Sequence, residues 1–388
     1  MTPTPRTNTS DDSPTLYMAL DLGGSKWVLA SSTGGQRVRR KTVAAGDVDA
    51  LCVEIAQAKK KLNLPEDARV LSCHEAGRQG FSLHRWLEAQ GIESLVVDST
   101  SIKVDQRKRR VKTDRIDAQA LLDELVRHER DGDQLRFCRV PPAEAEDLRR
   151  LVRERERLQH EKTGHTNRIR SLCATKGVSV KPGAKGLRGL QDAIAGGQVT
   201  VDYSDSVLPP QLTRELLREF ERLELVVAQL QTLKEELRAL VDEPRSDEAK
   251  KAAARIKQLQ QLKGVGDKAA PVLVLELFGW REFDNRKQVG AIAGLTGTPY
   301  ASDGSSREQG ISKAGNRRVR AVMNQLAWLW LRYQPQSKQA QWFEQRYASG
   351  SSRIRRTGIV ALSRQLLVAF WRYLESGVPP HGAALSMS

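Results

Sequence analysis

The apolar residues change period once along this chain, and that change limits the folds open to it. Over the first third, short apolar runs alternate with helical spacing. "TLYMALDL" reads as a buried strand, and "KWVLASS" and "QRVRRKTVAA" read as a hairpin around "TGG". "DVDALCVEIAQAKKKLNL" has helical spacing behind an Asp cap. "ARVLSCHE" and "IESLVVDS" are further strands, separated by the short helix "FSLHRWLEAQG", which Gly91 closes. "TDRIDAQALLDELVRH" is a helix opened by Thr113. This order predicts a mixed sheet with helices on its faces.

Beyond it the strand pattern stops. "AEAEDLRRLVRERERLQHEKTGHTNRIRSLCATKG" and "QLTRELLREFERLELVVAQLQTLKEELRALV" are two long charged helices with Leu and Val on one stripe, joined by a Gly- and Pro-containing connector at about 177–210. Heptad-like spacing suggests an antiparallel coiled coil or dimerisation arm; a plain helical linker fits equally. "IKQLQQLKGVGDKAAPVLVLEL" follows. Its Leu262, Gly264, Val265, Gly266 and Ala270 match a helix-hairpin-helix pattern, whose glycines would let backbone amides approach a phosphate; the alternative is an ordinary Gly-linked helix pair. The rest is mostly helical. The fold class is thus α/β plus all-α, divided as a disordered tail over 1–15, an α/β domain over 16–135, a helical domain over 140–255, a helical domain over 256–375 and a tail over 376–388.

The formal charge of +16 over 388 residues favours a polyanionic partner, because each Lys or Arg set on a phosphate releases condensed counterions. No apolar run is long enough to span a membrane. The four cysteines, Cys52, Cys73, Cys138 and Cys173, form no Cys-x-x-Cys pair, which suggests a reducing compartment and argues against a cysteine zinc site. With an N-terminus that lacks an apolar signal core, the expectation is a cytoplasmic protein.

Four acids fall at informative places. Asp21 ends the first strand and Glu75 a later one, while Asp114 and Asp117 stand three apart at the start of a helix, on one face. Carboxyl ends of neighbouring strands lie together, so these acids could converge and supply hard oxygen ligands for two Mg²⁺ ions about 3.5–4 Å apart, as in phosphodiester transfer. Acids at helix starts also serve the dipole, and Asp117 could pair with Arg110 or Arg115. Six cations precede the pair: Lys103, Arg107, Lys108, Arg109, Arg110 and Lys112. A basic run against acids suits a site that holds a phosphodiester, and a solvated loop is the rival account. His74 and Glu54 lie near Glu75 in the pattern; His74 reads as a neighbour, since Mg²⁺ prefers oxygen.

"GLTGTPYASDGSSREQGISKAGNRRVR" is a polar loop with four serines ringed by Arg307, Lys313, Arg317, Arg318 and Arg320. Arginines around serine hydroxyls suit attack on phosphorus, and a phosphoserine ester would keep the energy of the broken bond for rejoining. Near the end, Trp328, Trp330, Tyr333, Trp342 and Phe343 stand beside arginines; core packing is the favoured use over base stacking.

"LKGVGDKAAPVLVLEL", "AIAGLTGTPY", "SSREQGISKAGNRRVR" and "VKTDRIDAQAL" resemble motifs of the bacterial insertion-sequence transposases also called bridge-RNA-guided recombinases, over roughly residues 16–375. The resemblance implies a ribonuclease-H-like (RuvC-like) Asp-Glu-Asp-Asp domain, a coiled-coil middle and a C-terminal serine-bearing transposase domain. It implies Asp21, Glu75, Asp114 and Asp117 as ligands of Mg²⁺, Ser302 as nucleophile, and a 5′-phosphoserine intermediate. Its implied partners are double-stranded donor and target DNA, a structured non-coding guide RNA, and further copies in a dimer or tetramer whose active site combines acids of one subunit with the serine of another. The resemblance places such a protein at the bacterial nucleoid. Here Ala301-Ser302-Asp303-Gly304 stands where the family often has two adjacent hydroxyl residues, so Ser305 and Ser306 remain open. "DLGGSK" after the first strand also resembles the phosphate loop of sugar kinases, but the second half offers no second Gly-rich phosphate motif. The competing activities are a water-using junction resolvase or nuclease and a non-catalytic nucleic-acid-binding protein.

Overall fold

The structure, a computed structural model, describes residues 14–98, 114–132, 135–201, 206–302 and 305–386, without the side chains of 114–116, 299–302 and 305–309. It divides into two compact units at Pro141/Pro142.

The first unit is built on β1 (Thr15–Leu22), β2 (Lys26–Ser32), β3 (Arg39–Ala44), β4 (Arg69–Glu75) and β5 (Glu93–Val97), with α1 (Val48–Lys61), α2 (Gly80–Ala89) and α3 (Asp114–Asp131). The five strands lie in the order β3-β2-β1-β4-β5. β1 is antiparallel to β2 and parallel to β4, and β4 is parallel to β5. Such a central strand is buried on both faces, which is why "TLYMALDL" is nearly unbroken apolar. Its two faces feed two cores. Leu16, Met18 and Leu20 pack with Leu51, Ile55, Leu83 and Leu87 of α1 and α2. Ala19, Cys73 and Val97 pack with Ala118, Leu121, Leu122 and Leu125, the i, i+3, i+4, i+7 stripe of α3. At α1 the Asp47 carboxylate accepts from the Ala50 amide at 2.9 Å, satisfying one orphan donor of the first turn.

α3 runs antiparallel to β4. Glu129, near its C-terminal end, meets Arg69 at the start of β4 at 2.7 Å, and the Leu121 carbonyl lies 3.9 Å from Cys73 Sγ in mid-strand. The helix start is thereby carried toward the carboxyl ends of β1 and β4. This is the feature of the fold that positions a site.

The second unit opens with α4 (Ala143–Ala174) and returns along α6 (Pro210–Asp242). The Arg168–Glu215 ion pair and the His165–Glu219 hydrogen bond, at 2.6 and 2.7 Å, fix the two as antiparallel. The connector is more ordered than its composition predicts: α5 (Gly183–Ala195) and a ribbon of β6 (Thr200–Val201) with β7 (Ser206–Val207) close a small core over Ile169, Cys173, Phe220 and Leu223.

The rest comprises α7 (Asp247–Gln260), α8 (Ala269–Leu273) running into a π-helical turn (Val274–Phe278), α9 (Arg286–Ile292), a hairpin of β8 (Gly297–Ser302) and β9 (Ser305–Ile311), α10 (Arg317–Tyr333), α11 (Lys338–Tyr347) and α12 (Ser352–Ser376). Leu259, Phe278, Met323, Trp330, Phe343, Leu366 and Phe370 share its core. Trp330 Nε1 donates to Ser337 Oγ at 2.7 Å, so Trp330 and Phe343 serve packing, while Trp328 and Tyr333 stay exposed. Residues expected as a tail are tied down: the Lys263 amide donates to the Ala384 carbonyl at 3.1 Å, the Ser386 amide to Gln261 at 2.7 Å and the Lys338 amide to His381 at 3.0 Å. Among the described residues no helix is long and apolar enough to cross a membrane.

Candidate active site

The β1/β4 register pairs Leu20 with His74, and continuing it by one residue sets Asp21 beside Glu75. Both fall on the face that carries Ala19 and Cys73, the face α3 covers. Asp114 opens α3 and Asp117 follows three residues later, at the end of the helix directed to this edge. Strand ends and helix start are thus brought to one end of the sheet. Glu75 is exposed; Asp21 and Asp117 are partly so. Among the described residues no three His, Cys, Asp or Glu side chains stand close enough to hold an ion together; the Asp114 side chain lies outside that set. In chemistry, acids at a sheet end offer the oxygen ligands that hard divalent cations prefer.

The neighbours divide cleanly. His74 points to the opposite face, fully buried, with Nε2 donating to the Gly80 carbonyl at 2.9 Å. Burial pulls its pKa down to about 4, so it stays neutral. Glu54 is taken by Arg39, which grips both carboxylate oxygens at 2.7 and 3.1 Å. Asp98, one residue past β5, is a further acid at the same sheet end; its amide donates to the Arg136 carbonyl at 2.8 Å. The sequence carried the signal, since "LVVDS" ends a strand on Asp as "MALDL" does. Lys103, Arg107, Lys108, Arg109, Arg110 and Lys112 lie outside the described residues, as does Thr113.

The serine segment is not a loop. Its two halves pair as β8 and β9, with Ser302 opposite Ser305, Ala301 opposite Ser306 and Tyr300 opposite Arg307. The register leaves Ser302, Ser305 and Ser306 all open as the reacting hydroxyl. Asp303 and Gly304 lie outside the described residues. Of the expected ring of cations, Lys313 and Arg317 are exposed. Arg320 instead donates to the carbonyls of Ala293 and Lys313 at 2.9 and 3.0 Å, and Arg318 binds Glu156 on α4. Both guanidinium groups hold the chain together, a use that sequence spacing does not separate from phosphate binding.

Behind the hairpin stands a group that sequence reading missed. Glu276, on the π-helical turn, has a fully buried carboxylate. Arg153 of α4 donates to it at 2.6 and 2.9 Å and Asn316 Nδ2 at 2.9 Å. Burial alone would raise its pKa, but the Arg153 and Asn316 bonds outweigh burial and hold it below the usual carboxylate range. Asn316 is also the cap of α10, accepting from the amides of Arg318 and Val319 at 3.0 and 3.2 Å. One acid thus joins α4, the π turn and the exit of the hairpin.

Between α7 and α8, Gly264 has φ +96°, a conformation that favours glycine, and a Cβ there would lie 3.3 Å from the Tyr333 side chain. Gly266 is exposed, and its carbonyl accepts from the Ala269 and Ala270 amides.

A mixed sheet with acids at one end, followed by a basic helical unit, is the framework of a protein suited to a polyanionic partner. Comparison with known proteins makes this particular. The model described as the transposase IS116/IS110/IS902 family matches residues 256–341, and a transposase model of the Asp-Glu-Asp-Asp IS110 type matches residues 19–175. The protein y4rJ of Sinorhizobium fredii, which carries a transposase name, is 38% identical over 382 residues, covering 95% of this chain and 94% of its own. A second such protein of that organism, y4qE, is 26% identical over 82% of this chain and 72% of its own. The transposase for insertion sequence element IS1111A of Coxiella burnetii is 25% identical over 62% of this chain and 60% of its own. The chain belongs to the IS110/IS116/IS902 family of transposases, enzymes of DNA transfer; the match over 19–175 implies a RuvC-like domain for the first unit.

Proposed function

We propose that this chain is the RNA-guided, site-specific recombinase of an insertion sequence, working through a covalent serine–DNA intermediate. The observation that carries the reading is the course of α3, which returns Asp114 and Asp117 toward the sheet end where Asp21 and Glu75 finish their strands. Those four residues would hold divalent metal, Mg²⁺ in the first instance. Bound there, such an ion supplies charge neutralisation at a phosphodiester.

The chain's own part is nucleophilic. Ser302 Oγ attacks the phosphorus, the P–O3′ bond breaks, and the proton leaves with the released 3′ hydroxyl; the product is a 5′-phosphoserine. A 3′ hydroxyl from the exchanged strand then reverses the step, so joining needs no ATP. Lys313 and Arg317, exposed at the hairpin exit, are placed to bind backbone. The cations of 103–112, Arg307 and the Gly264–Gly266 turn, read as a helix-hairpin-helix contact, complete the DNA-binding set. The helical pair α4/α6 serves as a coiled-coil arm that joins copies into a dimer or tetramer, with acids and serine contributed by different subunits. The guide RNA, paired with donor and target duplexes, sets the site, and the work is done at the bacterial nucleoid.

The test uses full-length protein, the element's own flanking non-coding RNA, end-labelled junction DNA and Mg²⁺, followed by denaturation. A labelled protein–DNA adduct that disappears in Ser302→Ala and survives in Ser305→Ala is the expected result. Cleavage that persists in Ser302→Ala without an adduct would replace this reading by hydrolysis.

A further inference from the structure

The second unit carries a large trough that takes in the Gly264–Gly266 turn assigned above and extends well beyond it. It is walled by α6 and α10, floored by α4 and by the turn before α8, and encloses about 1290 Å³. That exceeds the roughly 300–1,000 Å³ of clefts that take small molecules and suits a length of polymer.

Its two walls differ in chemistry. Lys162, Lys234, Arg238 and Lys268 line the α4, α6 and turn side. None of these cations makes an ion pair or side-chain hydrogen bond among the described residues. Opposite them α10 offers Leu329 and Tyr333, 39% and 38% exposed. Two acids also face the trough: Asp242, and Asp267, whose carboxylate accepts from Gln260 at 3.0 Å. Cations therefore outnumber acids, and the excess lies on one side. The turn is fixed from below: Arg155 donates to the carbonyls of Asp267 and Lys268 at 3.2 and 2.8 Å. Tyr333 lies close to Gly264, where an added Cβ would stand 3.3 Å from it, and the Arg332 guanidinium lies 5.5 Å from its ring centre.

We infer that this trough binds an unpaired stretch of polynucleotide, its phosphates along Lys162, Lys234, Arg238 and Lys268 and its bases against Tyr333 and Leu329. Unpartnered cations facing an exposed ring match a strand whose charge and base faces lie on opposite sides. A duplex hides its base faces and has no use for the α10 wall; an amphipathic helix would leave the cations unmatched unless strongly acidic. The inference rests on the nucleic-acid reading above and adds the strand state of the ligand and the residues that take it.

The test measures fluorescence anisotropy of the full chain with a labelled oligouridylate, an oligothymidylate and a duplex of equal length. Lys234→Gln with Arg238→Gln, both exposed and unpaired, should weaken single-strand binding at least tenfold. It should also reduce the slope of log K on log salt by about 1.4, at about 0.7 per lost contact. Tyr333→Leu, which keeps bulk against Gly264, should cost about tenfold through lost stacking alone, with an unchanged slope. Loss confined to oligouridylate identifies guide RNA as the source, loss confined to oligothymidylate identifies a displaced DNA strand, and loss of both identifies a trough indifferent to the sugar. Equal loss of duplex binding, no loss, or a change of oligomeric mass with binding intact would each overturn the inference, the last by making a second copy the occupant. Failure of adduct formation by the unsubstituted protein would instead remove the recombinase reading and leave these titrations standing.

Discussion

Glu75 and Glu276 are the same residue type in the two units, and they are used in opposite ways. Glu75 ends a strand in the open, while Glu276 is sealed and gripped by Arg153 and Asn316. A buried, fully bonded acid is committed to structure, because taking away Arg153 strands its charge and taking away Asn316 leaves an oxygen short of a donor. An exposed strand-end acid adds little to folding and is free to meet a ligand. What separates a fastener from a candidate metal ligand is thus solvation and partnership.

Substitutions sharpen that contrast, beginning with the fastener. Glu276→Ala leaves the half-exposed Arg153 without its anion and Asn316 without its acceptor, and should lower unfolding free energy by about 2–3 kcal/mol, read as an earlier denaturant midpoint. Glu276→Gln, which keeps the bond from Asn316 only by turning its carbonyl oxygen, should fall between Glu276→Ala and the parent.

Acid comes next. His74 is neutral when folded, with its pKa lowered to about 4, yet protonates near 6.5 when unfolded. Its contribution is present above 6.5 and is lost as pH falls toward 4, up to about 3 kcal/mol. Glu276, whose folded pKa is also depressed, loses its contribution below the ordinary carboxylate range, in the same direction. Stability of the first unit followed from pH 7 to pH 4 should fall, and His74→Phe should flatten that decline.

A smaller effect belongs to the cap of α1. Asp47→Ala removes the bond to Ala50 and should cost about 1 kcal/mol. The smallest is the most telling. Glu75→Gln should shift stability by no more than about 0.5 kcal/mol, as exposed substitutions do, while adduct formation is lost. If Glu75→Gln destabilises as Glu276→Ala does, the distinction between the two acids fails.

The sheet was largely legible because strand periodicity, the hairpin glycines and the Asp47 cap are local signals. The ends of β1 and β4 could be placed from "MALDL" and "LSCHE", and with them Asp21 and Glu75. Three things were not. Arg318 and Arg320 looked like phosphate contacts because spacing cannot reveal Glu156 or the Ala293 carbonyl, partners that tertiary packing brings. The Ser302 segment read as a loop because Gly and Ser dominate it, yet Tyr300, Ala301 and Ser302 pair across to Arg307, Ser306 and Ser305. Glu276 carries no signal of its own in the sequence; its role depends on Arg153, 123 positions away.

The π-helical turn at Val274–Phe278 carries a constraint on how this chain can vary. Such a turn holds one residue more than an α-helical turn of the same height. Deleting a neighbour of Glu276 within it would restore ordinary winding and turn the Glu276 carboxylate away from its present direction. The salt link to α4 and the bond from Asn316 Nδ2 would be disturbed together. Lineages of this enzyme should therefore shed or gain residues in the β6–β7 ribbon far more readily than in these five positions.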